Sequence, residues 1–216
     1  MSNNNTKLKL KVSIIILIAF YISGIVGILT KNQTIDFLSL TPLNLLVNAT
    51  LLLLNHQKGT NKQWLVFLII AVIGYFIEVI GVTTGVIFGD YFYKTTLGWK
   101  LFETPLIIGV NWMLLTYGVV YTIGIKIKNT IGIAFVSACL LVALDILIEP
   151  VAIKYDFWAW KQAIVPFKNY IAWFFISFIL CYIVAHYKSV SKNNFAPYLL
   201  VMQFIFFGIF NFMIWK

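Results

Sequence analysis

Seven runs of apolar residues, separated by short stretches that hold most of the charge, make up this chain. One bilayer crossing takes about 20 apolar residues. Measured against that length, the runs fall at 12–30, 37–54, 64–84, 106–125, 130–149, 169–187 and 195–215, and each predicts a membrane helix. The second is the least regular, because Pro42, Asn44 and Asn48 interrupt it. The first follows Lys7, Lys9 and Lys11 as a signal peptide would, but its apolar stretch is too long and no small-x-small site closes it. It reads as an uncleaved first helix. The fold class expected is all-α: a polytopic membrane helix bundle of about seven transmembrane helices, with residues 1–216 forming a single integral membrane domain.

Composition agrees with the pattern. Of 216 residues, 61% are hydrophobic and 11% charged, where soluble domains carry about a quarter charged residues. A water-soluble domain is excluded, and seven crossings at about 20 residues each leave room only for termini and connections. The net charge of +9 comes from lysines alone, scattered and without the basic, aromatic-interleaved surface that grips nucleic acid. It reads as topology. With seven spans, Lys7, Lys9, Lys11, Lys58, Lys62, Lys126, Lys128, Lys188 and Lys192 share one side with no acid among them. The other side holds Lys31, Lys94, Lys100, Lys154, Lys161, Lys168 and Lys216 with Asp36, Asp90, Glu103 and Asp156. The lysine bias predicts a cytoplasmic amino terminus in a bacterial-type membrane, and the acids segregate more sharply than the lysines.

Several chemistries find no support. Cys139 and Cys181 fall inside predicted helices and read as buried free thiols rather than a disulfide framework. There is no glycine-rich phosphate loop, CxxC pair or HExxH. His56 and His186 lie on the lysine-rich side, away from the acids, so no metal site is expected.

Three acids remain inside apolar helix: Glu78 in IGYFIEVIGV, and Asp145 and Glu149 in ALDILIEPV. An ionisable side chain at membrane depth costs on the order of 3 kcal/mol, which makes it a functional candidate. The i, i+4 spacing of Asp145 and Glu149 puts them on one helix face about 6 Å apart, where they can work as a pair. Pro150 predicts a helix end or kink at Glu149. The chain also repeats itself around these acids. The segment IEV at 77–79 leads to DYFYK at 90–94, Pro105, Asn111 and Trp112; IEPV at 148–151 leads to DFWAWK at 156–161, Pro166, Asn169 and Trp173. Two helical hairpins thus deliver a membrane Glu and an Asp-aromatic loop to the same side. Trp99, Trp112, Trp158, Trp160 and Trp173 belong to these hairpins, as pocket walls or as an interfacial aromatic belt. Glycines 81, 85 and 89 mark either a close-packing face or the end of the third helix.

Taken together, these segments resemble those of a known family. EVIGVTTGVIFGDYFY at 78–93, LG at 97–98, TP and NW within 104–112, LDILIEPVA at 144–152 and WAW at 158–160 are similar to the CruF-like carotenoid biosynthesis membrane proteins. These include carotenoid 1,2-hydratases and bisanhydrobacterioruberin hydratase. The likeness spans roughly 74–175, the family-like core with both hairpins. It implies a hydro-lyase that adds water to the terminal C=C of an acyclic, lycopene- or γ-carotene-like end to give a tertiary alcohol. Such a reaction needs no cofactor. It implies a lipophilic carotenoid as partner, membrane lipid around the site, and contacts with other carotenoid enzymes.

The residues offer what that reaction requires. Asp145 and Glu149 are the expected acid and base pair, either one in either role, and Glu78 is the third catalytic candidate, as alternative acid or as the group that positions water. Tyr91, Tyr93, Trp112, Trp158 and Trp160 are expected to line the substrate pocket, with π faces that favour a cation. Asn111 is expected to hydrogen-bond a carboxyl. Asp90 and Asp156 are expected either to cap the pocket and guide water or to be solvated loop acids. Two rivals stand beside this reading: a carotenoid end-group cyclase, which would use the same proton and cation, and a proton-coupled carrier, which also needs intramembrane acids. A retinal pigment is disfavoured, because the last helix has no lysine before Lys216.

Overall fold

The computed structural model of the chain describes residues 2–30, 36–188 and 190–215. Lys31 and Lys216, two of the lysines assigned to the acid-bearing side, lie outside the described residues. Every apolar run folds as a helix: α1 Ser2–Leu29, α2 Thr41–Leu54, α3 Asn61–Thr84, α4 Ile107–Ile123, α5 Thr130–Lys154, α6 Phe167–Tyr187 and α7 Ala196–Ile214. The chain is an all-α bundle, and five of its helices (α1, α3, α5, α6, α7) are long and apolar enough to cross a membrane, as in a multi-pass membrane protein. Large apolar side chains such as Leu68, Phe175 and Val201 stand exposed on its outer face, where lipid replaces water as solvent.

The other two helices are shorter than the seven-span reading assumed. α2 has 14 residues and α4 has 17, about 21 and 25 Å at 1.5 Å per residue, against a hydrocarbon thickness of about 30 Å. α4 compensates by position. It packs against α2, α3, α5, α6 and α7, is buried nearly all round, and seats its first turn on α3, where Gly109 lies against Ala71 and Tyr75.

Three helix ends differ from expectation or settle it. α1 begins ahead of Lys7 and carries the three lysines as helix. α5 runs through Pro150 to Lys154, so Glu149 lies inside the helix, not at its end. A proline costs one backbone bond and a clash, but the turn after it is held by Tyr155 N–H to Val151 O at 3.0 Å and Phe157 N–H to Ala152 O at 2.9 Å, and spanning helices tolerate proline when such bonds re-form. α3 stops at Gly85, whose φ of 64° is the left-handed cap that glycine adopts without strain. Both cysteines are free; Cys181 is buried as expected, whereas Cys139 faces outward, where a small apolar side chain suits lipid.

Short antiparallel ribbons tie the connections together. β1 (His56–Gln57) pairs with β6 (Lys192–Asn193), joining the α2–α3 and α6–α7 connections at one end of the bundle. β2 (Tyr91–Tyr93) pairs with β5 (Trp158–Trp160), joining the α3–α4 and α5–α6 connections at the other, as the two-hairpin pattern anticipated. β3 (Lys100–Leu101) closes on β4 (Thr104–Pro105) beside them.

Candidate functional site

The β2–β5 ribbon explains how aromatic side chains reach membrane depth. Alternation along a strand sends every second residue to the same face. In β2 that face carries Tyr91 and Tyr93, both buried, while Phe92 points out. The register sets Tyr91 opposite Trp160 and Tyr93 opposite Trp158, so four rings hang from one ribbon over the ends of α3 and α5. Outside, Lys94 pairs with Asp156 at 3.6 Å and Lys161 with Asp90 at 3.5 Å, each crossing from one loop to the other. Asp90 and Asp156 are therefore exposed loop acids that brace the ribbon, and they do not line the cavity beneath it.

That cavity, of about 40 Å³, brings together Glu78, Asp145 and Glu149. All three are less than 5% exposed. Glu78 on α3 is held by three donors: Tyr91 Oη and Tyr93 Oη give hydrogen bonds to Oε2 at 2.5 and 2.8 Å, and Trp112 Nε1 gives one to Oε1 at 3.0 Å. Glu149 on α5 accepts at Oε2 from Trp158 Nε1 at 3.0 Å and Trp160 Nε1 at 2.9 Å. Asp145, one turn earlier, accepts at Oδ2 from Asn169 Nδ2 at 2.8 Å. Glu149 Oε1 and Asp145 Oδ1 take no hydrogen bond from the described residues. They are the acidic oxygens left free for a reactant.

The walls are aromatic. Trp112 stacks on Trp173 at 4.4 Å between centroids, and the Tyr91 and Trp160 rings lie 5.1 Å apart. No lysine lines the cavity among the described residues, so a positive charge arising there meets carboxyls, π faces and the amides of Asn111 and Asn169. Burial and then the neighbouring Glu78 charge push the Tyr91 and Tyr93 phenols well above the usual tyrosine range. Both tyrosines stay O–H donors to Glu78.

Of the residues singled out from sequence, the three acids, Tyr91, Tyr93, Asn111, Trp112, Trp158 and Trp160 all line this one cavity. The amide that reaches a carboxyl is that of Asn169, however, while Asn111 lines the wall. Asn169 was not singled out as a site residue, and Trp173 only as one of the hairpin tryptophans, although the internal repeat carried the signal: they follow the second hairpin in the order in which Asn111 and Trp112 follow the first.

Comparison with known proteins adds one match: the sequence model of a family described as carotenoid biosynthesis protein covers residues 40–215. No curated protein and no solved structure matches the chain.

Proposed function

We propose that this chain, which belongs to the carotenoid biosynthesis protein family, is a hydratase that adds water to the terminal alkene of an acyclic carotenoid end. The observation that carries the reading is the pair of unspent oxygens, Asp145 Oδ1 and Glu149 Oε1, in an aromatic cavity without a lysine. One of the two carboxyls gives its proton to the less substituted alkene carbon, and a tertiary cation forms on the other. The faces of Tyr91, Trp158 and Trp160 stabilise it, each such contact being worth about 2 kcal/mol in a dry site. Water adds to the cationic carbon and passes its extra proton to the second carboxyl, so the pair ends with the proton count it began with. Glu78, held in place by the three hydrogen bonds from Tyr91, Tyr93 and Trp112, acts as a carboxylate partner to the cation. Room for a water beside the acids favours hydration over ring closure.

The test is pigment analysis after co-expression with a lycopene- or γ-carotene-forming pathway. Hydration yields a more polar product heavier by one water. A product isomeric with its precursor would make the chain a cyclase, and unchanged pigment would remove the hydratase reading. The lysine bias further supports a cytoplasmic amino terminus in this reading. In a variant lacking Cys139 and Cys181, cysteines placed at positions 94 and 161 should then label only from the opposite side.

A further inference from the structure

A second cavity, of about 120 Å³, lies between α1, α2, α4, α5 and α7 and shares Ile108, Asn111 and Trp158 with the carboxyl cavity. Its walls are largely hydrocarbon and aromatic, from Leu115, Ile148, Phe206, Phe207 and Phe210. Polar side chains interrupt them: Thr41, Asn44, Asn111 and Tyr155 are half-buried, and two others are buried. Tyr21 is 5% exposed and Gln203 6%, both line the cavity, and neither the Tyr21 hydroxyl nor the Gln203 amide has a hydrogen-bond partner among the described residues. The Tyr21 ring is fixed edge-on against Phe206 at 5.3 Å between centroids.

Buried polar groups are paired in the great majority of cases, and leaving one unpaired costs about 1–3 kcal/mol. Two of them, from helices far apart in the chain, line one space whose other buried walls are apolar. The complement of such a space is an apolar chain with one oxygen able to give and accept a hydrogen bond. We infer that the second cavity is a binding site for a hydroxyl-bearing isoprenoid chain, with Tyr21 and Gln203 holding the hydroxyl. The volume suits a chain end; the remaining polyene would lie in the bilayer. This inference rests on the proposed hydration only for the source of the hydroxyl, since a chain end spanning the shared wall at Asn111 and Trp158 has its reacting carbon near the carboxyls. The hydroxyl belongs either to a substrate already oxygenated near its reacting end or to the tertiary alcohol just formed.

The experiment compares two probes on the purified protein in lipid nanodiscs: an acyclic carotenoid with one tertiary hydroxyl at its end, and the hydrocarbon of the same chain. Binding is followed by quenching of tryptophan fluorescence. The wild type should prefer the alcohol by roughly tenfold, or about 1.4 kcal/mol, and the double variant Tyr21→Phe, Gln203→Leu should lose the preference. Because neither side chain has a partner to lose, each single variant should remain folded, as its thermal unfolding will report. Equal binding of both probes by the wild type, or a preference that survives in the double variant, overturns the site. Turnover then separates the two sources. A substrate hydroxyl predicts a KM raised in the variants for the oxygenated substrate alone, and a product hydroxyl predicts product inhibition that the variants relieve. Preference for the alcohol without hydration of either probe would keep this site and remove the hydratase reading.

Discussion

The two ends of the bundle bury comparable amounts of polar chemistry, and they handle it differently. At the end that carries β1 and β6, His56, Gln63, Tyr117, Ser191 and Asn193 form a closed network of neutral groups. Asn193 Nδ2 donates to Tyr117 Oη at 2.6 Å and to Leu52 O at 2.7 Å. The Tyr117 hydroxyl meets His56 Nδ1 at 2.6 Å, and His56 Nε2 meets Gln63 Oε1 at 3.3 Å. Gln63 Nε2 reaches Tyr187 O, Lys188 O and Ser191 Oγ. Much of this bonding is to backbone at the ends of α2 and α6, so the network fastens the connections to the helices. At the β2–β5 end the polar groups are acids, their donors are mostly aromatic, and two carboxyl oxygens remain unspent above a cavity. A filled network stabilises a fold, whereas an unfilled one is arranged for something that is not part of the chain.

Amide substitution at the acids tests that contrast most severely. Glu149→Gln and Asp145→Asn keep side-chain volume and an oxygen that can still accept the existing hydrogen bonds, but neither can deliver a proton. Positioned acid or base groups contribute about 10²–10⁴-fold, so hydration measured per molecule of membrane protein should fall by about a thousandfold in each. Asp36→Asn, exposed and, among the described residues, bonded through its carboxyl to the backbone of its own turn, should be nearly silent. Full activity in both acid variants would reduce the carboxyl cluster to scaffolding, like the network at the other end.

A smaller effect separates two duties of one ring. Trp160 gives a hydrogen bond to Glu149 and presents its face beside Tyr91. Trp160→Phe and Trp160→Leu both remove the N–H, but only phenylalanine keeps a π face. If that face stabilises the cation, the leucine variant should lose roughly thirtyfold in normalised turnover, the equivalent of about 2 kcal/mol, with phenylalanine between it and the wild type. Equal turnover for the two variants would leave the tryptophan only its hydrogen bond.

What the sequence could and could not express follows from the same contrast. A carboxyl in an apolar run violates the surrounding pattern, and Glu78, Asp145 and Glu149 were legible for that reason. Tyr91, Tyr93, Trp158 and Trp160 were legible as parts of aromatic loops near acids, but that those loops pair as strands, and in which register, was not. Helix α5 overran its expected end because a local proline rule yields to packing and to loop bonds that form only in the fold. Neutral polar residues carry no such signature. His56 could be placed at the lysine-rich end but not joined to Tyr117, 61 residues away, and the lone Gln203 in an apolar run looks like any interruption. The second cavity is a gap between helices, and gaps have no linear pattern.

The neutral network should answer to stability rather than turnover. Asn193 makes the two donated bonds described above, and its Oδ1 accepts from the N–H groups of Phe195 and Ala196 at 3.0 and 3.2 Å, starting α7. Asn193→Ala should cost about 2 kcal/mol of stability, since it leaves buried groups unpaired, while turnover per folded molecule stays near the wild-type value. A large fall in normalised turnover with an unchanged unfolding temperature would join the two ends functionally and break the comparison.

The finest test titrates the network through its histidine. Gln63 Oε1 only accepts, so His56 Nε2 carries the proton and Nδ1 accepts from the Tyr117 hydroxyl, which in turn accepts from Asn193. A second ring proton on Nδ1 would face that hydroxyl with its hydrogen already pointing inward. Burial lowers the His56 pKa, and the bond to Gln63 offsets this in part. With the folded value below the unfolded one of about 6.5, the unfolded chain binds the extra proton first. Stability is therefore full above that pH and falls as pH drops through the window beneath it, by at most about 1.4 kcal/mol per pH unit. Unfolding temperature should decline with acidification over this range in the wild type, and His56→Gln should flatten the part of the slope that His56 contributes. The same slope in both proteins would mean that His56 takes its proton without disturbing Tyr117 and Asn193, and that the lysine-rich end is looser than its hydrogen bonds imply.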